Sequence, residues 1–416
     1  MNRQELIPHL FRTEFSKIST VLSRLFGIEN LQLAEDIASD TFLAALETWT
    51  YQGIPDHPVA WLYTVAKNKA KNHLKREQLF TGTIAGELKR SAVSAEELDW
   101  TEQGISDSQL QMMFTLCHPA IPAESQIGLS LRVLCGFGID EIATAFLANR
   151  ETINKRLYRA REKLREEKLS IEFPPPAEIE QRLDTVLTTL YLLFNEGYYS
   201  ESDNALLRED LCQEAMRLVS LLLSQEKTAL PQVHALYALM SFHASRFPAR
   251  KNENGEIILY DDQDETLWDQ ALISRGAYHL HVAAAGDKLS TYHLEASIAY
   301  WHTVKQNSKE KWENILQLFN RLLQLQYSPV AALNRTYALY KVHGAGAAIT
   351  AAEKLGLEGN VYYHFLLGEL YSTVDAEKSK EQFGKALGVA RTRGERGLLE
   401  KRVFTTRLRF ASSGKA

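Results

Sequence analysis

The spacing of apolar residues predicts that this chain is built almost entirely from helices. Apolar residues recur at intervals of three and four along most of the sequence, and runs that alternate in the manner of a β-strand are almost absent. The segment GEIILY (255–260) is the best strand candidate, and we interpret it as a short extended segment beside a loop. We therefore expect an all-α fold.

Length and composition limit the class of protein. At roughly 100–200 residues per domain, the 416 residues predict two to four domains. The opening segment, MNRQELIPHLFRTEF, lacks the apolar core of a secretory signal, and no run approaches the length of a membrane span. Cys117, Cys135 and Cys212 lie far apart without a CxxC pair, which indicates neither a disulfide framework nor a zinc ribbon. We expect a cytoplasmic protein without membrane, metal or cofactor.

Breaks in the helical periodicity divide the chain into three helical regions joined by two linkers. The proline run FPPP (173–176) interrupts one helix, because proline lacks the amide donor and restricts the residue before it. The predicted divisions are a first helical unit at 1–80, a linker at 81–108, a second helical unit at 109–170, a proline-rich linker at 171–179 and a long helical region at 180–405.

The long C-terminal region contains weak internal repetition. Residues 331–355 align with residues 363–387 after a shift of about 32 positions, close to the 34-residue tetratricopeptide period. Each half reads as a small-residue helix, a short break and a second helix. This pattern predicts stacked helical hairpins, and an irregular helical bundle is the alternative.

A basic helix stands out because the formal net charge of the chain is −5. Seven Lys and Arg fall between residues 151 and 168, where Ile153, Leu157, Ala160 and Leu164 form an apolar stripe. A short amphipathic helix, IDEIATAF, and the turn LANR come directly before it. This order predicts a helix-turn-helix whose second helix enters a major groove. The alternative is a solvated helix whose Lys and Glu side chains pair with one another.

A second basic helix lies near the N-terminus, at residues 55–77. It has five Lys and Arg between Lys67 and Arg76, and the acidic amphipathic helix at 31–49 precedes it. Two surface helices of opposite charge in one bundle would explain these charges. Their order along the chain instead suggests two DNA contacts and one protein contact.

Three segments, in this order, resemble bacterial sigma factors of the extracytoplasmic-function group. AEDIASDTFLAALETW resembles the helix that docks on RNA polymerase, and WLYTVAKNKAKNHLKRE resembles the segment that recognises and melts the −10 element. LSLRVLCGFGIDEIATAFLANRETINKRLYRAREKL resembles the helix-turn-helix that reads the −35 element. Segments 190–223, 235–250 and 328–344 resemble the long tetratricopeptide-like extension of one subgroup.

The resemblance implies three sets of contact residues. Those implied for core RNA polymerase are Asp36, Asp40 and Phe42. Those implied for the −10 element are Trp61, Asn68, Lys71, Asn72 and Lys75, and the loop at 53–59 would form a pocket for a flipped base. Those implied for the −35 element are Arg150, Asn154, Lys155, Arg156 and Arg159. Ser39 departs from the family, in which a longer Gln is common at this position, so docking would depend more on the three polymerase-contact residues.

The sequence therefore predicts an alternative sigma factor that binds core RNA polymerase and promoter DNA, and that has no catalytic residues. Its helical-repeat domain would regulate this activity and would bind a protein or peptide partner. One alternative is a one-component regulator whose repeat domain senses a ligand or protein. Another is an enzyme whose active site lies within 180–400, although common nucleotide-binding and hydrolase motifs are missing from the sequence.

Overall fold

The computed structural model describes residues 3–81, 98–146, 148–167, 169–199, 205–250, 258, 260–304, 306–390, 396–397 and 399–400. Helices dominate these residues, which contain no β-strand. The chain separates into two compact units, Met1–Ala229 and Leu230–Ala416. Of the strand candidate at 255–260, only Ile258 and Tyr260 lie inside the described residues, and Tyr260 opens a 3-10 turn.

The helices of the first unit are α1 (Arg3–Phe26), α2 (Leu31–Gln52), α3 (Pro58–Thr81), α4 (Glu102–Leu116), α5 (Ala123–Val133), α6 (Ile139–Ala145), α7 (Arg150–Glu166), α8 (Pro176–Tyr199) and α9 (Ala205–Leu223). Those of the second unit are α10 (Pro231–Ala244), α11 (Gln270–Ala283), α12 (Thr291–Trp301), α13 (Lys309–Leu325), α14 (Pro329–His343), α15 (Ala345–Glu353), α16 (Val361–Tyr371) and α17 (Ala376–Val389). No helix in the described part of the chain is long and apolar enough to cross a membrane.

Helices α1, α2 and α3 share one hydrophobic core. Phe15 and Leu22 of α1, Trp49 of α2 and Leu62 of α3 are buried in it. Gly53 ends α2 with φ of 88°, a conformation that an L side chain disfavours, and the chain then turns into α3. This bundle presents the outer faces of α2 and α3 to solvent.

Helices α8 and α9 complete the core that α4 and α5 begin. Arg182 of α8 donates to the Phe114 carbonyl at 2.8 Å, and Arg217 of α9 donates to the Leu134 carbonyl at 2.9 Å. Both carbonyls lie near the C-terminal ends of helices, where no intrahelical donor remains, so the two arginines satisfy acceptors that would otherwise be unpaired. The first unit therefore includes α8 and α9.

The observed divisions differ from the predicted ones at two places. Thr101 caps α4 by accepting a bond from the Gly104 amide, so residues 102–108 of the predicted linker are helical. The two compact units separate between residues 229 and 230, not at the proline-rich segment 171–179. The reason is that α8 buries its apolar face beside α4 and α5 instead of joining the helices that follow residue 230.

The second unit is built mainly from contacts between successive helices. Helices α14 and α15, and likewise α16 and α17, show a helix, a short break and a second helix, in the order read from the two aligned segments. Helices α16 and α17 approach each other closely where Gly368 faces the Phe383 ring. A Cβ atom at residue 368 would lie 2.8 Å from that ring, so the approach depends on the missing side chain of glycine. The hairpin formed by α16 and α17 is therefore tightly packed.

Candidate functional site

The exposed face of α2 combines acidic and apolar side chains. Asp36 and Asp40 are exposed, and Leu43 follows them on the same ridge at the next helical spacing. Leu43 is 55% exposed and Leu46 is 48% exposed. Exposed leucines between carboxylates give this helix an amphipathic outer surface. The sequence interpretation did not single out these two leucines.

Phe42 lies on the opposite side of α2. Its side chain is 3% exposed, and its ring centroid lies 5.0 Å from that of Phe11 and 6.4 Å from that of Phe15. Phe42 therefore supports α2 from within the core, and it does not present the contact surface that the sequence interpretation expected. A helix turns by about 100° per residue, so neighbours in sequence can differ fully in burial.

Ser39 is exposed beside the two aspartates, but its hydroxyl turns back to its own helix. It donates to the Glu35 carbonyl at 2.9 Å, a local bond that short hydroxyl side chains commonly make. The serine adds no outward-reaching group to the surface of α2.

The outer face of α3 carries amide and ammonium groups. Asn68, Asn72 and Lys75 are all exposed, and they lie within about 60° of one another around the helix axis. Lys71 is partly buried on the flank of this face. Trp61 packs against Trp49 at a centroid distance of 5.3 Å, which anchors the start of α3. Four of the five predicted −10 residues are thus surface residues of one helix, and the fifth holds that helix in place.

An open cavity of about 390 Å³ lies at the start of α3. It is lined by Asp56, His57, Pro58, Val59, Ala60 and Tyr63. The Tyr63 hydroxyl donates to Glu14 at 2.6 Å. Burial, together with this hydrogen bond, raises the pKa of Tyr63, so the phenol keeps its proton. Four of the six lining residues belong to the loop for which the sequence predicts a base pocket.

Helices α6 and α7 form the predicted pair of helices with a short turn between them. Asn149 caps α7 by accepting from the Thr152 amide at 2.7 Å. The Arg156 guanidinium lies 5.7 Å from the centroid of the Phe146 ring, which joins the end of α6 to α7. The four residues of the predicted apolar stripe are all buried.

The five predicted −35 residues differ in their surroundings. Lys155 pairs with Glu151 at 2.6 Å, Arg156 pairs with Glu124 at 2.8 Å, and the third ion pair joins Arg150 to Asp140 at 3.5 Å. The remaining two, Asn154 and Arg159, are exposed. Acidic neighbours hold three of the side chains in place without burying them fully.

Comparison with known proteins connects the first of these surfaces to a family. Residues 10–80 match the family model for sigma-70 region 2. The chain is 32% identical over 131 residues to the ECF RNA polymerase sigma factor BldN of Streptomyces coelicolor, covering 30% of this chain and 47% of that one. It is 24% identical over 144 residues to the RNA polymerase sigma-H factor of Pseudomonas aeruginosa, covering 32% of this chain and 72% of that one. Residues 10–80 are therefore similar to sigma-70 region 2.

A longer similarity extends through the C-terminal half of the chain. The uncharacterized protein R00370 of Rhizobium meliloti is 34% identical over 375 residues, which cover 88% of each chain. Residues 182–284 match a family of unknown function, DUF6596. No solved structure matches the chain. The segment 182–284 begins in α8 of the first unit and ends in the second unit.

The region-2 match contains most of α1 and nearly all of α2 and α3. The predicted polymerase-contact and −10 residues therefore lie inside the matched segment, and the five predicted −35 residues lie outside it. The structure also shows a buried carboxylate, Glu35, between two arginines of the other helices. Sequence reasoning groups Glu35 with Asp36 and Asp40 on the polar face of α2, whereas the structure buries it at 2% exposure.

Proposed function

We propose that this protein is an alternative sigma factor of the extracytoplasmic-function group of the sigma-70 family, and that it binds core RNA polymerase through α2. The acidic residues Asp36 and Asp40 lie one to two helical turns before the exposed leucines Leu43 and Leu46. Exposed apolar side chains rimmed by charge are typical of protein-binding surfaces. In this proposal Phe42 stabilises the contact helix from beneath.

The observation that carries the proposal is the exposed face of Asn68, Asn72 and Lys75 on α3, together with an open cavity at the start of the same helix. Separated DNA strands are bound by stacking and by polar contacts to exposed base edges, while lysines neutralise phosphates. His57 and Tyr63 supply rings at the cavity, and the asparagines supply amide donors and acceptors. We infer that this surface binds the melted −10 element and that the cavity accepts a base turned out of the stack.

We infer that α6 and α7 form a helix-turn-helix that reads the −35 element. The exposed face of α7 includes Asn154 and Lys155 in its N-terminal half and Arg159 just past its midpoint, and side chains at the N-terminal end of a recognition helix reach base edges. The acidic partners of Lys155 and Arg156 are exposed, so phosphates can replace them with little loss of free energy. The ion pairs would therefore keep these side chains in position without preventing their contact with DNA.

We assign the second unit a regulatory role as a tetratricopeptide-like array that binds a protein or peptide partner. Packing of each helix mainly on its neighbours supports this role, since arrays of this type expose extended binding surfaces.

A one-component regulator would use the same α7 surface, but it would leave the exposed amides of α3 without a role. An enzyme would require a pocket with convergent titratable groups.

The test is formation of open complexes on genomic promoter DNA by the full-length protein with core RNA polymerase. We expect melting that depends on polymerase and that Lys155→Ala with Arg159→Ala abolishes. Lys163→Ala is the matched control, because Lys163 lies on the same helix but pairs with Glu166 and Glu167. Binding to duplex DNA without any recruitment of polymerase would instead establish the one-component regulator.

A further inference from the structure

A short segment before α4 packs on the bundle of α1, α2 and α3, although the sequence predicts a linker there. Leu98 is 7% exposed and Ile105 is 6% exposed, and both lie in the core that the three helices share. Trp100, between them, is partly buried against the same core. Arg24 of α1 also donates to the Ser108 hydroxyl of α4 at 3.0 Å. Both apolar and polar contacts therefore fix this segment on the bundle.

The backbone on either side of Trp100 is held by the turn that caps α4. The Asp99 carboxylate accepts from the Thr101 amide at 2.9 Å and from the Thr101 hydroxyl at 2.6 Å. The same hydroxyl accepts from the Gly104 amide at 3.2 Å, which is the capping bond of the helix. Local bonds of this kind define the path of a turn, so they fix the position from which the indole of Trp100 extends.

The indole of Trp100 packs on the ring of Tyr63 in α3. The two ring centroids are 5.3 Å apart and the ring planes meet at 34°, a separation at which aromatic pairs attract each other. Tyr63 lines the open cavity at the start of α3 together with residues 56–60. Trp100 is not one of the lining residues in the described part of the chain, so it contacts Tyr63 from outside the cavity.

Glu14 of α1 holds the other end of Tyr63. The phenol donates to Glu14 at 2.6 Å, and Glu14 is 6% exposed and accepts from Lys17 at 2.9 Å through its second oxygen. The phenol oxygen lies on the axis about which the ring turns, so this hydrogen bond fixes the tip of the side chain but not the plane of the ring. The contact with Trp100 restricts that plane.

We propose that Trp100 is a positioning residue for the cavity, and that it holds the Tyr63 ring in the plane against which a base turned out of the DNA stack packs. This inference rests on the proposed function. The plane matters because aromatic rings attract one another only in certain relative orientations. A ring already held in place loses little freedom when the base arrives, so the contact with Trp100 favours insertion of the base.

Trp100 lies outside the segment that matches sigma-70 region 2, which ends at residue 80. The cavity therefore depends on a residue from the chain that connects α3 to α4. The fit of a −10 base is in this way tied to the connection between the two proposed DNA-binding helices.

The first measurement is fluorine NMR of the free full-length protein labelled with fluorotyrosine. The chain has 17 tyrosines, so the Tyr63 signal is assigned by its loss in Tyr63→Phe. In Trp100→Ala this signal should move, because the Tyr63 ring loses the ring current of the indole. In Trp100→Phe an aromatic ring remains against Tyr63, and the signal should stay near its original position.

The second measurement follows base flipping in the complex of the full-length protein with core polymerase and promoter DNA. A fluorescent adenine analogue placed in turn at each −10 position reports when its base leaves the stack. At the position that enters the cavity, Trp100→Ala should lower the flipping equilibrium about fivefold, the effect expected from the loss of one aromatic pair. Trp100→Phe should restore it, and other positions should change little.

Phe173→Ala is the matched control. It removes a half-buried ring from the other predicted linker, where Phe173 packs on Phe114 of α4 at a centroid distance of 5.8 Å. Its flipping equilibrium should equal that of the unsubstituted protein. Trp100→Leu keeps apolar bulk at residue 100 but no ring, so it should reproduce the fivefold loss and remains informative if Trp100→Ala does not fold.

Two results would overturn the role of Trp100: a Tyr63 signal that Trp100→Ala leaves in place, or flipping that Trp100→Ala and Phe173→Ala lower equally. Failure of the proposed function gives a different result. The unsubstituted protein would then flip no base in the presence of polymerase, which overturns the base-binding role of the cavity, while the NMR signal would still report the contact between Trp100 and Tyr63.

Discussion

The Thr189 hydroxyl donates to Gln126 Oε1 at 2.8 Å, and both side chains are buried. The amide of the same glutamine donates to the carbonyls of His118 and Ile121, so a residue of α8 completes a hydrogen-bond network that positions α5. The segment after the proline run is thus part of the structure that supports α5, against which α7, the helix proposed to read DNA, is packed.

Truncation after residue 229 should preserve the first unit, and truncation after residue 170 should not. The shorter fragment lacks α8 and α9, which exposes the apolar side chains of α4 and α5 and leaves Gln126 without Thr189. We expect a cooperative thermal transition by circular dichroism for 1–229 and a broad or absent one for 1–170. Equal cooperativity of the two fragments would contradict this view of the unit.

Substitution of the exposed leucines of α2 should weaken polymerase binding without unfolding the protein. Leu43→Ser with Leu46→Ser removes apolar contact area from the surface, and we expect at least a tenfold decrease in affinity for core polymerase in a titration. Phe42→Ala is the comparison, because it empties a core site and should lower the free energy of unfolding by about 3–5 kcal/mol. If the serine variant bound polymerase normally, α2 would not be the contact helix.

The asparagines of α3 should affect promoter melting, and the tryptophan should affect stability. Asn68→Ala with Asn72→Ala removes polar groups from an exposed face, so strand opening should fall at least tenfold at an unchanged melting temperature. Trp61→Ala removes the packing against Trp49 and should lower the free energy of unfolding by about 3 kcal/mol. Permanganate footprinting and thermal unfolding separate the two effects. Unchanged footprints for the asparagine variant would remove these residues from the −10 surface.

Salt dependence should reveal the phosphate interactions of α7. Removing one cation that pairs with a phosphate reduces the slope of log affinity against log salt concentration by about 0.9, so Lys155→Ala with Arg159→Ala should reduce it by about 2. The measurement is promoter affinity of the polymerase complex across a salt series. Lys163→Ala should retain the full slope, and an equal reduction in this control would mean that the charge of the helix acts without defined phosphate partners.

The second unit should become less stable as the pH falls. Burial, together with the nearby Arg246 and Lys311 cations, lowers the pKa of His302 to about 3. An unfolded histidine has a pKa of about 6.5, so protons favour the unfolded state below that value, and stability declines until the folded pKa is reached.

Urea unfolding between about pH 7 and pH 5 measures this decline in stability, to which His302 alone should contribute about 1 kcal/mol per pH unit. His243 and His279 add to the decline, because burial lowers their pKa values as well. His302→Gln should reduce the slope by about this amount, whereas His281→Gln at an exposed position should not. A slope that the His302 variant leaves unchanged would assign the pH dependence to other groups.

The apolar periodicity of the sequence is sufficient to predict the helices and, for several of them, which face is buried. The stripe of Ile153, Leu157, Ala160 and Leu164 is buried as expected, because the core side of an amphipathic helix follows from the spacing of its apolar residues. Family resemblance predicts a pocket in the loop before α3, and a cavity lies there. The position of Phe42 is not predicted correctly, because an apolar residue on an amphipathic helix can belong either to the core or to a contact surface.

The sequence by itself determined the all-helical fold, the order of the acidic and basic helices and the family resemblance, since these depend on local spacing and residue type. Tertiary structure decided the partners of the charged residues. Seven Lys and Arg between residues 151 and 168 read as one basic surface, yet Arg161 faces Glu35, which lies 126 residues away along the chain. The tertiary structure also decided that α8 and α9 belong to the first unit. Long-range pairing depends on which surfaces pack together, and local periodicity carries no information about that choice.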